Sequence, residues 1–150
     1  MKDSASKHPR LILLLILLPF LVCAQSSYRF HSHNDYEQEF PFWKAYVHGA
    51  SSIEADIFLK EGKLYVAHTE EEIKEANTLQ NLYLDPISSL AEKGKLRELL
   101  FLIDLKSDAR PTLDKLVEVL KGFPELVQSS ELTIAISGNR PPIGLSLIHI

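Results

Sequence analysis

Three stretches of the chain have hydrophobic and polar patterns that are typical of strands. Residues 51–59 (SSIEADIFL) place apolar side chains at every second position, which predicts a strand carrying Glu54 and Asp56 on its other face. Residues 63–68 (KLYVAH) predict a second short strand after a Glu-Gly turn. Residues 99–105 (LLFLIDL) are almost continuously apolar, which predicts a strand covered on both faces.

Helical spacing separates these strands. Residues 40–48, 86–93 and 112–121 repeat apolar side chains at helical intervals, and a glycine follows each segment closely, as expected at a helix end. Short strand-like segments at 28–33 and 132–136 complete the pattern. The resulting order of strands and helices predicts an α/β fold built from βα units around a parallel sheet.

Polar side chains stand at the carboxyl ends of the predicted strands. Because ligand sites of α/β folds form at that edge of the sheet, we expect these side chains to meet there. They are His33, Asn34, Glu54, Asp56, His68, Asp104, Lys106, Ser137 and Asn139.

Three carboxylates of this set predict a metal site. Glu54 and Asp56 would point to the same side of one strand and repel each other unless a cation neutralises them. The alternative is that both carboxylates lie on an outer face of the strand and are solvated by water. Asp104 lies within an apolar strand and needs a partner. Together with Asn34 they form an oxygen-rich set suited to Mg²⁺ or Ca²⁺, so we expect a divalent cation as cofactor.

Two histidines of the set are candidates for proton transfer. Imidazole titrates near neutral pH, so one of His33 and His68 would accept a proton while the other donates one. The alternative is that both histidines are structural and only form hydrogen bonds. Lys106 would bind a phosphate oxygen or form a salt bridge with Asp104 or Glu54. We expect His31 to support the site rather than to transfer protons.

Composition narrows the chemistry further. The chain has 150 residues, 45% of them hydrophobic and 24% charged, which is typical of one soluble domain. A net charge of −4 argues against binding nucleic acid by charge alone. Cys23 is the single cysteine, so a metal in the domain that follows it must be held by oxygen or imidazole ligands.

The first 24 residues are typical of an export signal. Basic residues precede an apolar run over residues 11–23, which is shorter than the roughly 20 residues of a membrane-spanning helix. We therefore predict a signal peptide at 1–24 and a periplasmic or secreted protein. A lipoprotein anchor through Cys23 is less favoured, because Val22 is larger than the small residue expected before an acylated cysteine.

Three motifs resemble a known superfamily. Residues 32–36 (SHNDY) resemble the first catalytic motif of phosphatidylinositol-specific phospholipase C-like phosphodiesterases. Residues 49–56 (GASSIEAD) and 64–68 (LYVAH) resemble successive segments of glycerophosphodiester phosphodiesterases. The complete form HSHNDY, at 31–36, is most similar to the altered inheritance of mitochondria protein 6-like branch.

The resemblance implies a TIM (β/α)8 barrel, a divalent cation and hydrolysis of a phosphodiester such as a glycerophosphodiester or a phospholipid headgroup. By position, His33 and His68 would be the acid/base pair, and Asn34, Glu54, Asp56 and Asp104 would hold the metal. The partner would be a small-molecule or lipid diester, with transient contact at a membrane surface and no nucleic acid.

A full barrel needs roughly 250 residues. We therefore expect residues 25–144 to be its N-terminal half, with about four βα units, and residues 145–150 to be an artefactual tail of a truncated reading frame. Two alternatives remain open at this point. One is a non-catalytic barrel that binds a phosphorylated ligand, and the other is an amidohydrolase-like hydrolase, which the pattern His31-x-His33 also fits.

Overall fold

The computed structural model describes residues 29–141. The predicted signal peptide at 1–24, Cys23 and the tail at 145–150 lie outside the described residues, so these expectations stay predictions. Within residues 29–141, no helix combines the length and apolar character needed to cross a bilayer.

Strands and helices alternate along the described segment. In chain order they are β1 (His31–Ser32), α1 (Trp43–Val47), β2 (Ser52–Lys60), β3 (Lys63–Val66), α2 (Asp85–Glu92), β4 (Leu99–Leu105), α3 (Ala109–Leu120), α4 (Pro124–Val127) and β5 (Leu132–Gly138). Short 3-10 turns occur at Asp35–Glu37 and Glu70–Glu72, and a π-helical turn at Gln80–Leu84 leads into α2.

The strands form one five-stranded sheet. Strands β1, β2, β4 and β5 are parallel neighbours in that order, and β3 pairs antiparallel with β2. The register places Asp56 beside Asp104 and Asp104 beside Ser137. The predicted α/β fold with a parallel sheet is confirmed. The described strands do not close a barrel, so the TIM barrel stays a prediction.

The core lies between one face of the sheet and the helices. Ile53, Phe101 and Ile103 are fully buried on that face and share one cluster with side chains from all four helices. On the opposite face of β4, Leu100 remains 37% exposed. The described helices pack against only one face of β4, so the coverage of both faces stays a prediction.

Backbone conformation explains why two elements are shorter than predicted. Asn34 and Phe42 adopt positive φ angles of 46° and 62°, a region in which neither strand nor helix continues. Strand β1 therefore ends at Ser32, one residue before His33, and α1 begins only at Trp43. In contrast, α3 begins three residues earlier than predicted, since Pro111 lies in its first turn, where no intrahelical N–H bond is lost.

Candidate functional site

The predicted carboxylates lie together on the sheet face that the helices leave uncovered. Glu54, Asp56 and Asp104 are only 8%, 1% and 9% exposed. The solvated-face alternative for Glu54 and Asp56 is therefore wrong. Buried carboxylates require positive charge or hydrogen-bond donors, and the surrounding side chains show which donors each one has.

Glu54 lies close to two histidines. The His33 Nε2 atom lies 3.3 Å from Glu54 Oε2, and the His31 Nε2 atom lies 3.7 Å from the same oxygen. The backbone N–H of Asn34 also donates to this oxygen, at 3.3 Å. His31 is held in addition by Ser52, with 2.9 Å between His31 Nδ1 and Ser52 Oγ. Glu54 thus holds the loop that carries His33 close to β2.

Asp56 is the centre of a second group. Its Oδ2 atom lies 3.5 Å from His68 Nδ1 and accepts a 2.8 Å hydrogen bond from the Tyr36 hydroxyl. The same hydroxyl lies 3.3 Å from His68 Nδ1. Burial, followed by the hydrogen bond to Asp56, raises the pKa of Tyr36 far above its ordinary value, so the phenol stays protonated. Sequence reasoning assigned no role to Tyr36.

Asp104 is paired with Lys106 and Ser137. The Lys106 Nζ atom lies 2.5 Å from Asp104 Oδ2 and 3.3 Å from Asp56 Oδ2, while the Ser137 hydroxyl donates to Asp104 Oδ1 at 2.6 Å. Burial alone would raise the pKa of Asp104, but the Lys106 and Ser137 hydrogen bonds outweigh it and lower that pKa. The hydrogen bond to Asp104 raises the pKa of Lys106, against the effect of burial. The alternative considered for Lys106, a salt bridge with Asp104, is therefore present, while its binding of a phosphate oxygen stays a prediction.

The pKa shift of Asp104 predicts a pH-dependent stability. The folded-state pKa lies below the unfolded value of about 4, so the pair stabilises the protein above that pH and loses this contribution as pH falls through the folded pKa. We expect Lys106→Met to lower the free energy of unfolding by about 1–2 kcal/mol at neutral pH and by progressively less in acid. Urea unfolding across this pH range, in metal-free buffer, measures the difference.

Lys115→Met is the matched control for that comparison. Lys115 forms a surface pair with Glu118, with 2.9 Å between Nζ and Oε1, whose contribution should stay below about 1 kcal/mol at every pH. A Lys106→Met deficit that did not shrink in acid would contradict the predicted linkage.

The donor set fits a divalent cation in part. Asp56 Oδ1 is buried and has no hydrogen-bond partner, which is costly unless something binds it. Glu54 on the same strand face and Asn34 in the adjacent loop would supply further oxygen ligands, whereas both carboxylate oxygens of Asp104 already have partners. Among residues 29–141, no three His, Cys, Asp or Glu side chains lie close enough to form a complete metal cluster.

Asp35 connects this site to the core. Its side chain is fully buried and accepts hydrogen bonds from the Ser32 hydroxyl at 2.7 Å, the Phe42 backbone N–H at 2.5 Å and the Tyr83 hydroxyl at 3.1 Å. Sequence reasoning left Asp35 unassigned as well. The signal was its presence in a short loop that turns from strand to helix, where a carboxylate can accept backbone and side-chain donors.

Comparison with known proteins shows which sequences this chain is similar to. Residues 24–96 match the AIM6-like phosphodiesterase domain, and this segment includes the motifs from His31 to His68. An altered inheritance of mitochondria protein 6 homolog from Arthroderma benhamiae is 42% identical over 69 residues, which cover 42% of this chain and 22% of the relative.

Two yeast proteins named altered inheritance of mitochondria protein 6 also match. The Candida glabrata protein is 33% identical over 138 residues, covering 69% of this chain and 33% of the relative. The Saccharomyces cerevisiae protein is 31% identical over 122 residues, covering 69% and 31%. No solved structure matches the chain significantly. The chain thus spans about a fifth to a third of these relatives, and its residues 24–96 are similar to the AIM6-like phosphodiesterase domain.

Proposed function

We propose that the protein hydrolyses phosphodiesters, with His33 and His68 as its acid/base pair. The observation that carries this proposal is the pairing of each imidazole with its own buried carboxylate on one strand. His33 Nε2 lies 3.3 Å from Glu54, and His68 Nδ1 lies 3.5 Å from Asp56. Cleavage of a diester needs one group to take a proton from the nucleophile and another to protonate the leaving oxygen.

The chain's own residues supply these two steps. One histidine accepts the proton of the attacking hydroxyl or water, and the other donates a proton to the departing alkoxide. Glu54 and Asp56 hold the rings and offset the positive charge that an imidazole acquires with its proton. Lys106, whose ammonium lies between Asp56 and Asp104, provides a positive charge for an anionic phosphate oxygen.

A divalent cation, Mg²⁺ or Ca²⁺, is part of the proposal. Asn34, Glu54 and Asp56 would hold it, with Asp104 as the further ligand indicated by sequence, and the unpartnered Asp56 Oδ1 supports this assignment. When bound, such an ion withdraws charge from a phosphate oxygen and makes a nearby hydroxyl more acidic. Hard oxygen ligands favour these two ions over softer metals.

The substrate we propose is a small or lipid phosphodiester, such as a glycerophosphodiester or a phospholipid headgroup. His33 and His68 have 70% and 54% of their side chains exposed, so a substrate reaches both imidazoles from solvent. Export by the signal peptide at 1–24 and transient contact with a membrane surface belong to the same proposal.

Metal removal tests the proposed function. We expect a chelator to lower the hydrolysis of an activated aryl phosphodiester and of glycerophosphocholine by roughly a hundredfold or more, because the ion contributes several kcal/mol of charge stabilisation. Added Mg²⁺ or Ca²⁺ should restore the rate. The assay uses protein expressed from its complete native reading frame.

Chelator already saturated with Mg²⁺ is the control, and it should not inhibit. Full activity in free chelator would contradict metal dependence. Binding of diesters without any turnover would favour the non-catalytic alternative, and restoration by Zn²⁺ alone would favour the amidohydrolase-like one.

A further inference from the structure

Three polar groups from separate parts of the chain converge on one point. Tyr36 comes from the 3-10 turn at Asp35–Glu37, Asp56 from β2, and His68 from the segment after β3. The Tyr36 oxygen lies 2.8 Å from Asp56 Oδ2 and 3.3 Å from His68 Nδ1. His68 Nδ1 is itself 3.5 Å from Asp56 Oδ2, so the phenol oxygen is its nearer neighbour.

The hydrogen-bond donors and acceptors at this point determine which ring nitrogen of His68 carries a proton. A phenol carries one proton, and an ionised carboxylate only accepts hydrogen bonds, so the Tyr36 proton goes to Asp56. The His68 Nδ1 atom then faces two acceptors, the Tyr36 oxygen and Asp56 Oδ2. It must therefore carry a proton itself, since a bare nitrogen lone pair would be repelled by both oxygens. In neutral His68 the lone pair then belongs to Nε2.

We propose that Tyr36 is a positioning residue that holds His68 in its Nδ1–H tautomer and leaves Nε2 as the atom that exchanges a proton with the substrate. The inference rests on the proposed function for its catalytic meaning and deepens it by naming the reacting atom. The partner that a histidine's other nitrogen contacts commonly decides which tautomer is present. Here a phenol shares that task with a carboxylate.

Tyr36 is suited to this task because its loop is fixed. Its neighbour Asp35 is fully buried and bonded to the Phe42 backbone and the Tyr83 hydroxyl. The Tyr83 ring stacks on Phe101 in β4, with 5.1 Å between centroids. The phenol therefore approaches His68 from an anchored turn, which limits rotation of the imidazole.

Tyr36→Phe removes only the hydroxyl and tests the proposal. In nitrogen NMR spectra at a pH where His68 is neutral, wild-type Nδ1 should show the shift of a protonated ring nitrogen and Nε2 that of an unprotonated one. In Tyr36→Phe, we expect the two shifts to move towards each other as both tautomers become populated. At saturating divalent cation, kcat for the diester should fall roughly ten- to a hundredfold with little change in KM.

Tyr46→Phe is the matched control. The Tyr46 hydroxyl donates to the Lys95 carbonyl at 3.0 Å, away from His68, so its loss should change neither the His68 spectrum nor kcat. A wild-type His68 protonated on Nε2 would overturn the proposal, as would a Tyr36→Phe variant with wild-type spectrum and kcat. The expected spectra without turnover of any diester by the wild type would overturn the proposed function and the catalytic meaning of Tyr36, while the hydrogen-bond geometry would stand.

Discussion

His33→Ala and His68→Ala should each lower kcat for diester hydrolysis by about a hundred- to ten-thousandfold. Each change removes one of the two imidazoles that lie beside the buried carboxylates, and general acid or base catalysis contributes a factor of that size. Because one histidine serves the nucleophile and the other the leaving group, neither should replace the other. Steady-state rates on an activated aryl diester and on glycerophosphocholine measure the effect.

The two substrates also distinguish the roles of the histidines. An activated aryl leaving group departs without protonation, so the variant that lacks the general acid should lose less activity on it than on the alkyl diester. The variant that lacks the base should lose similar activity on both. Equal losses on both substrates for both variants would contradict a division of labour between His33 and His68.

Two other histidines provide graded controls. His31 lies 3.7 Å from Glu54 and is held by Ser52, so His31→Ala should lower kcat by roughly tenfold through the position of Glu54. His48 lies exposed at the end of α1, and His48→Ala should leave the rate unchanged. If His31→Ala were as inactive as His33→Ala, the amidohydrolase-like pairing of these two residues would gain support.

Side-chain periodicity carries enough information to predict the sheet and its polar face. The alternation in residues 51–59 correctly placed Glu54 and Asp56 on one side of β2, and the parallel order of strands then brought Asp104 and Ser137 beside Asp56. Strand ends meet at one edge of a parallel sheet, so His33 and His68 were expected near these carboxylates. The structure confirms this for both.

Side-chain periodicity does not predict the local backbone conformation. Asn34 is of a residue type that tolerates a positive φ, whereas Phe42 is not, yet both adopt one. The hydrogen bonds of Asp35 hold the loop between them. The short helix α4 has only four residues, too few for a hydrophobic period to be visible. Tyr36 became a candidate only when its distance to residues 20 and 32 positions away was known.

Asp35→Ala should destabilise the protein by at least about 3 kcal/mol. It removes an acceptor shared by the Ser32 hydroxyl, the Phe42 N–H and the Tyr83 hydroxyl, and each buried donor left without a partner costs about 1–3 kcal/mol. Such a loss is a large part of the 5–15 kcal/mol that typically stabilises a domain. Urea unfolding followed by circular dichroism measures it.

Asp35→Asn separates the loss of acceptors from the loss of volume. The amide keeps one acceptor oxygen and nearly the same shape but places an NH₂ group against donors, so we expect about half the effect of Asp35→Ala. Asp114→Ala removes a carboxylate from an exposed i,i+4 pair with Arg110 and should cost no more than about 0.5 kcal/mol.

The Asp35 loop also links stability to catalysis. Asp35 stands between Asn34 and Tyr36 and two residues beyond His33, so releasing it frees the segment that carries all three. Asp35→Asn, if folded at the assay temperature, should therefore lower kcat. It should also move the two ring-nitrogen shifts of His68 towards each other, as expected for Tyr36→Phe. A variant that lost stability while keeping the wild-type rate would show that the core, rather than the Asp35 hydrogen bonds, positions the site.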